Sequence, residues 1–277
     1  MHPATKPTLV SRVLRWGPGL IGCLFLALLG ACEEAKKPEA ETKPTAAATP
    51  TPTPTPTPAP TPTESAKPPR VKKTLADCKG DEVTIDVPAV EKAIRDKLPK
   101  PAGAITKADL KKLKSLNLSQ AKLPDLDLCV FAPMTNLKEL FLGEGEYDDL
   151  SPLAGMTQME SLRASISQVK DITPLEKMKR LDRLDLGRTQ VKDLKPLEKL
   201  TLLEELQVDT TEVEDLAPLA KLTKLKTLSI KNTKVKDATP LKGLKDLKML
   251  YISGTPLADM PTGLQPLRDN GTKIMTE

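Results

Sequence analysis

Seven aspartates have the spacing to do chemistry as a set. Asp125, Asp149, Asp171, Asp193, Asp215, Asp237 and Asp259 recur at near-constant intervals, and a row of divalent cations would need such a file of carboxylates. Lys170, Lys192 and Lys236 stand directly beside three of them, however, and an adjacent ammonium repels a metal ion. Asp149, Asp171, Asp193, Asp215 and Asp237 each precede a proline by three residues, where a carboxylate is placed to accept a backbone N–H of the coming turn. Turn capping is therefore expected, with no metal site. The usual general base is also missing, because the only histidine is His2, inside a segment expected to be removed. No catalytic residue and no cofactor is expected, so the chain reads as a binding protein rather than an enzyme.

The cysteines carry the next signal. Lys6, Arg12 and Arg15 precede an apolar run, Leu20–Ala31, which closes on Leu29, Gly30, Ala31 and Cys32. A basic lead, a short apolar stretch and small residues at its end are the parts of an export signal. The run is well short of the about 20 residues a membrane-spanning helix needs. Leu29–Cys32 resembles the bacterial lipobox, in which the cut falls before a cysteine that receives a diacylglyceryl group. The resemblance implies a signal peptide over 1–31 and Cys32 as the lipid anchor. Membrane attachment would then be by that lipid alone, in a cell envelope, at the outer membrane or cell surface. The formal net charge of +5 includes the three basic residues of the signal. The mature chain is almost neutral, and nucleic acid is not an expected partner.

Residues 32–70 read as a disordered Pro/Thr-rich stalk. Thr-Pro alternation from Thr49 to Pro62 pushes each residue before a proline out of the helical region, and no apolar stripe is available for burial. Polyproline-like extension at about 3.1 Å per residue gives a reach of roughly 100 Å. Once Cys23 leaves with the signal and Cys32 takes lipid, Cys78 and Cys129 remain. Two cysteines in an exported domain are expected to form a disulfide.

A repeat dominates the rest. Leu140, Leu162, Leu184, Leu206, Leu228 and Leu250 recur every 22 residues, and the same period carries Leu142, Ala164, Leu186, Val208, Ile230 and Ile252. Pro152, Pro174, Pro196, Pro218 and Pro240 share the frame, each followed by leucine. In each unit, leucines two apart point one way from a short strand while the residue between them points the other. The proline then ends the ladder and turns the chain outward. A single unit cannot bury its apolar side, so the units must stack.

The run Leu181–Leu200, with Leu181, Leu184, Leu186, Thr189, Val191, Asp193, Leu194, Pro196 and Leu197 in fixed places, resembles the leucine-rich repeat of the internalin-like bacterial family. The likeness covers about residues 83–277. It implies an α/β solenoid: an arc with a parallel sheet on its concave face, short 3-10 or irregular returns on the convex face, and a helical N-terminal cap. Where many members carry asparagine after the strand, this chain has Thr189, Thr211, Thr233 and Thr255, which can supply part of the same hydrogen bonding. The expected boundaries are a cap over 71–112, seven repeats over 113–264 and a C-terminal cap over 265–277. Val90, Ala93, Ile94 and Leu98 predict the first cap helix, and Thr106 with Asp109 a capped second one.

Rigid strands presenting varied side chains are how solenoids bind. Glu139, Phe141, Arg163, Arg183, Asp185, Glu205, Gln207, Ser229 and Tyr251 are the expected ligand-binding residues of the concave face. Arg163, Arg183 and Arg188 are expected to form a central basic patch. Aromatics make up only 2% of the chain, too few for the platforms a sugar ligand favours. A protein or peptide ligand for a monomeric domain is therefore expected. The alternative is a structural spacer with an inert concave face.

Overall fold

The computed structural model describes residue 78, residue 83, residues 85–123 and residues 126–277. The signal, Cys32, the stalk and Asp125 lie outside the described residues. Among those described, no helix is long and apolar enough to cross a membrane.

The chain enters through helix α1 (Pro88–Lys97), which starts on proline and buries Val90 and Ile94. Helix α2 (Lys107–Leu110) follows, its N-terminus closed by a reciprocal box in which Thr106 and Asp109 each accept the other's backbone N–H. Arg95 clasps the cap, donating to Glu91 and to the carbonyls of Lys100 and Gly103. Cys78 is disulfide-bonded to Cys129 across a separation of 51 residues, tying the segment ahead of the cap to the first return segment.

Eight three-residue strands then pair in parallel, in chain order: β1 (Ser115–Asn117), β2 (Glu139–Phe141), β3 (Ser161–Arg163), β4 (Arg183–Asp185), β5 (Glu205–Gln207), β6 (Thr227–Ser229), β7 (Met249–Tyr251) and β8 (Lys273–Met275). The register puts Leu116, Leu140, Leu162, Leu184, Leu206, Leu228 and Leu250 in one row, and Ile274 ends it. Short 3-10 turns make the returns, and five of them carry the repeating proline as their second residue, as in Lys195–Leu197 and Ala217–Leu219. A proline at the start of a helical turn gives up no hydrogen bond, because that N–H has no acceptor there. The whole is a leucine-rich-repeat solenoid arc.

One continuous core runs from Val90 to Leu267. Its polar exceptions are satisfied. Ser167, Thr189, Thr211, Thr233 and Thr255 are buried, and each hydroxyl donates to the carbonyl three residues earlier, as Thr211 Oγ1 does to Val208 at 2.6 Å. Threonine thus supplies part of the bonding that asparagine would. The aspartate file caps turns: Asp149, Asp171, Asp193, Asp215 and Asp237 each accept, at 2.8 Å, the N–H two residues on. Asp259 departs from the pattern and ends the 3-10 turn Pro256–Asp259.

The C-terminal segment differs from a simple covering cap. Helix α3 (Gln265–Asp269) and a turn through Gly271 (φ +82°) lead into β8, which adds an eighth strand to the sheet.

Candidate binding face

Alternation along each strand decides what the concave face shows. Leu140 is buried, while Glu139 is exposed and Phe141 half-buried on either side of it. The same holds for Arg183 and Asp185 around Leu184, and for Glu205 and Gln207 around Leu206. The 22-residue period sets these residues side by side on neighbouring strands: Phe141 beside Arg163, Arg163 beside Asp185, and Asp185 beside Gln207.

At the centre lies a depression of about 290 Å³, which brings together Phe141, Arg163, Arg183, Asp185, Glu205 and Gln207 with Asn117 and Ser119. Six of the nine expected ligand-binding residues therefore share one hollow. Glu139 stands on the same face outside it, and Tyr251 lies three strands away from β4. Ser229 needs a correction. It belongs to the face by register but is 5% exposed, with its hydroxyl donating to Asp209 Oδ1 at 2.6 Å. A short side chain between longer neighbours reaches little solvent, and a carboxylate already takes its hydroxyl. Ser161 is buried by the same overshadowing.

The basic patch also changes character. Arg163 Nε donates to Asp185 Oδ2 at 2.8 Å, and Asp185 Oδ1 accepts from the Gly187 N–H at 2.9 Å. This pair is oriented and internally neutral. Arg183 is the more available cation, 60% exposed and 3.8 Å from Asp182. Arg188 leaves the patch altogether, because it sits in the turn after β4 with a left-handed backbone (φ +55°).

Carboxylates border the hollow along the column ahead of the strands. Lys138 donates to Glu160 and Lys226 to Glu204, both at 2.7 Å, and each bond holds its carboxyl below the usual range. Asp182, between them, is pushed up by burial, and Arg183 opposes that shift. The hollow thus offers one exposed guanidinium held only by a long ion pair to Asp182, one locked ion pair, amide and hydroxyl groups, and an aromatic ring. That set can orient a polar peptide, but it contains no nucleophile–base pair. No group of three or more metal-ligating side chains occurs among the described residues.

A second depression, of about 340 Å³, escaped the sequence reading. It lies at the turns leaving the strands and is lined by Lys122, Leu123, Glu144, Gly145, Ile166 and Arg188, among others. Ile166 and Arg188, which line it, begin a column of left-handed residues that Thr210, Asn232 and Gly254 continue along the later turns. Asn232 and Gly254 are the turn signals in the sequence for that left-handed column. Gly145 packs so closely that a Cβ would stand 2.5 Å from the Leu123 carbonyl oxygen.

The sheet, its returns and its ladders define the class as leucine-rich repeat. Among solved structures, the chain is similar to internalin C2 of Listeria monocytogenes, at 26% identity and a TM-score of 0.56, over 69% of this chain and 93% of that one. It is also similar in fold to an internalin F of Listeria monocytogenes, at 22% identity and a TM-score of 0.52, over 68% of each chain. No protein-family profile matches the chain, and comparison with characterised proteins gives no match.

Proposed function

We propose that this chain is a lipid-anchored envelope protein whose leucine-rich-repeat domain binds a partner protein through the concave face. The observation that carries the reading is the central hollow. Phe141, Arg163, Arg183, Glu205 and Gln207 converge there from four adjacent strands, on a sheet whose core is closed beneath them. A rigid surface loses little entropy on binding, and an exposed arginine beside an aromatic ring is the composition of an interface hot spot. The structural likeness to internalins is consistent with an interaction scaffold.

The anchoring half of the reading rests on Leu29–Cys32 and on the stalk, which would hold the domain away from the lipid surface. Metabolic labelling with a fatty acid, followed by mass analysis, is expected to find the lipid on Cys32 and none on a Cys32→Ala chain. An unlabelled, uncleaved chain would contradict it.

Crosslinking pull-down from envelope extracts tests the binding half, with the parent chain run against Phe141→Ser, Arg183→Glu. Arg183 is exposed and Phe141 half-buried above a closed core, and circular dichroism checks that the variant is folded. A protein captured by the parent and lost by the folded variant supports the concave face. Equal capture by both refutes it.

A further inference from the structure

The near-neutral total charge hides a segregation along the arc. Residues 139–220 carry eighteen carboxylates and ten cations, whereas residues 221–277 carry eleven cations and five carboxylates. The column ahead of the strands shows the same reversal, with Glu160, Asp182 and Glu204 in the middle and Lys226 and Lys248 at the C-terminal end. Lys226 is engaged with Glu204. Lys248 and Lys273 form no ion pair among the described residues.

Next to these cations lies apolar surface that the fold leaves uncovered. Met249 and Tyr251 flank the core residue Leu250 and are half-exposed. Strand β8 then sets Met275, 40% exposed, in register with Tyr251, and Lys273 in register with Met249. The Lys231 ammonium stands 4.8 Å from the centre of the Tyr251 ring. Its backbone is fixed from below, because Asp209 accepts both the Lys231 N–H at 2.8 Å and the Ser229 hydroxyl. An aromatic ring, two methionines and two lysines are therefore held together at one end of the concave sheet, with β7 two strands beyond the edge of the central hollow at β5.

We infer that this end of the sheet is a docking site for a partner segment carrying an apolar side chain flanked by carboxylates. The apolar group covers Tyr251, Met249 and Met275, and thioether and aromatic surfaces adapt to its shape. The carboxylates meet Lys231 and Lys273. Charge complementarity selects this occupant, because the local surplus is cationic and a basic segment would be repelled from it. The inference rests on the reading of the concave face as a binding surface and names the partner's chemistry at one end of it.

The test uses the mature chain with Cys32→Ser, so that no acyl group intervenes, and three fluorescent peptides read by anisotropy. One peptide has a central Phe between pairs of Asp, one has Lys in place of Asp, and one has Ser in place of Phe. Only the first is expected to bind. Its affinity should fall at least tenfold in Lys231→Glu, Lys273→Glu and in Tyr251→Ser, and weaken as salt rises. Arg183→Glu should leave it unchanged. Binding of the Lys peptide as tightly, indifference to the variants, or no binding by any peptide overturns the inference. So does Tyr251-dependent sedimentation with phosphatidylglycerol vesicles in place of peptide binding, which would assign the patch to a lipid surface. Because Arg183→Glu spares this site, loss of the pull-down effect with the peptide result intact discards the central hollow alone. The converse pair of results discards this site alone.

Discussion

Replacing Asp193 separates two uses of the aspartate file. Its Oδ1 accepts the Lys195 N–H at 2.8 Å, at the entry to the 3-10 turn Lys195–Leu197, where that donor has no partner further back in the chain. Alanine removes the acceptor and leaves the N–H to water, at a cost of about 1 kcal/mol by comparison with helix N-caps. For a folded region of this size, 1 kcal/mol corresponds to a drop in Tm of roughly 2–4 °C. Asparagine keeps a side-chain oxygen in the same place and should melt within about 1 °C of the parent, since Asn and Asp cap comparably well. If the carboxylates instead held cations, calcium would raise the parent's Tm by mass action, and Asp193→Asn would forfeit that rise. The assay is thermal melting by circular dichroism, for parent, Asp193→Ala and Asp193→Asn, in EDTA and in millimolar calcium. The capping account expects parent and Asn to melt together, Ala lower, and calcium to change nothing. It is refuted if Asn is as damaging as Ala, or if calcium stabilises the parent but not the variants.

Other outcomes follow from the same geometry. Leu206 is fully buried on β5, and Leu206→Ala should destabilise by about 2–5 kcal/mol in denaturant titration, whereas a loss under 1 would contradict a packed core there. Ile166 combines a φ of +57° with 41% exposure, so Ile166→Asn should be neutral or stabilising by up to roughly 1 kcal/mol despite the lost apolar group. A clear destabilisation would show that the isoleucine packs more than its exposure implies. Non-reduced peptide mapping should recover Cys78 linked to Cys129, and reduction should cost about 4 kcal/mol in a chain-entropy account of a loop of 51 residues. Asp109, hydrogen-bonded by Lys100, Lys112 and Thr106, is held well below its ordinary 3.8. A depressed folded pKa contributes stability that is present above the unfolded pKa and lost as pH falls through the folded value. Asp109→Asn should therefore flatten the fall of Tm below about pH 4, and an unchanged slope would deny the linkage.

The fold was legible because its information is periodic. Leu140 to Leu250 at one interval can satisfy only a stacked architecture, and Asp193 before Pro196 already signals a capped turn. Strand β8 was not legible, because Ile274 stands 24 residues after Leu250 and the 22-residue frame skips it. Exposure on the concave face was legible for long side chains such as Arg183 and Gln207. It failed for Ser229, whose burial depends on neighbours that only the assembled sheet brings close. The locking of Arg163 by Asp185 is likewise a property of adjacent strands, although the repeat spacing places the two side by side. Arg188 left the patch because a left-handed turn residue points away from the strand face, and arginine carries no sign of that backbone state.

Photo-crosslinking in the native envelope tests the central claim most directly. A photoreactive phenylalanine analogue would be placed at Phe141 or Gln207 on the concave sheet, or at Lys199 or Thr223 on exposed return positions. The account predicts a discrete protein adduct from Phe141 and Gln207 and none from Lys199 or Thr223. Adducts from the return positions alone, or no adduct from any position, would contradict binding through the concave face.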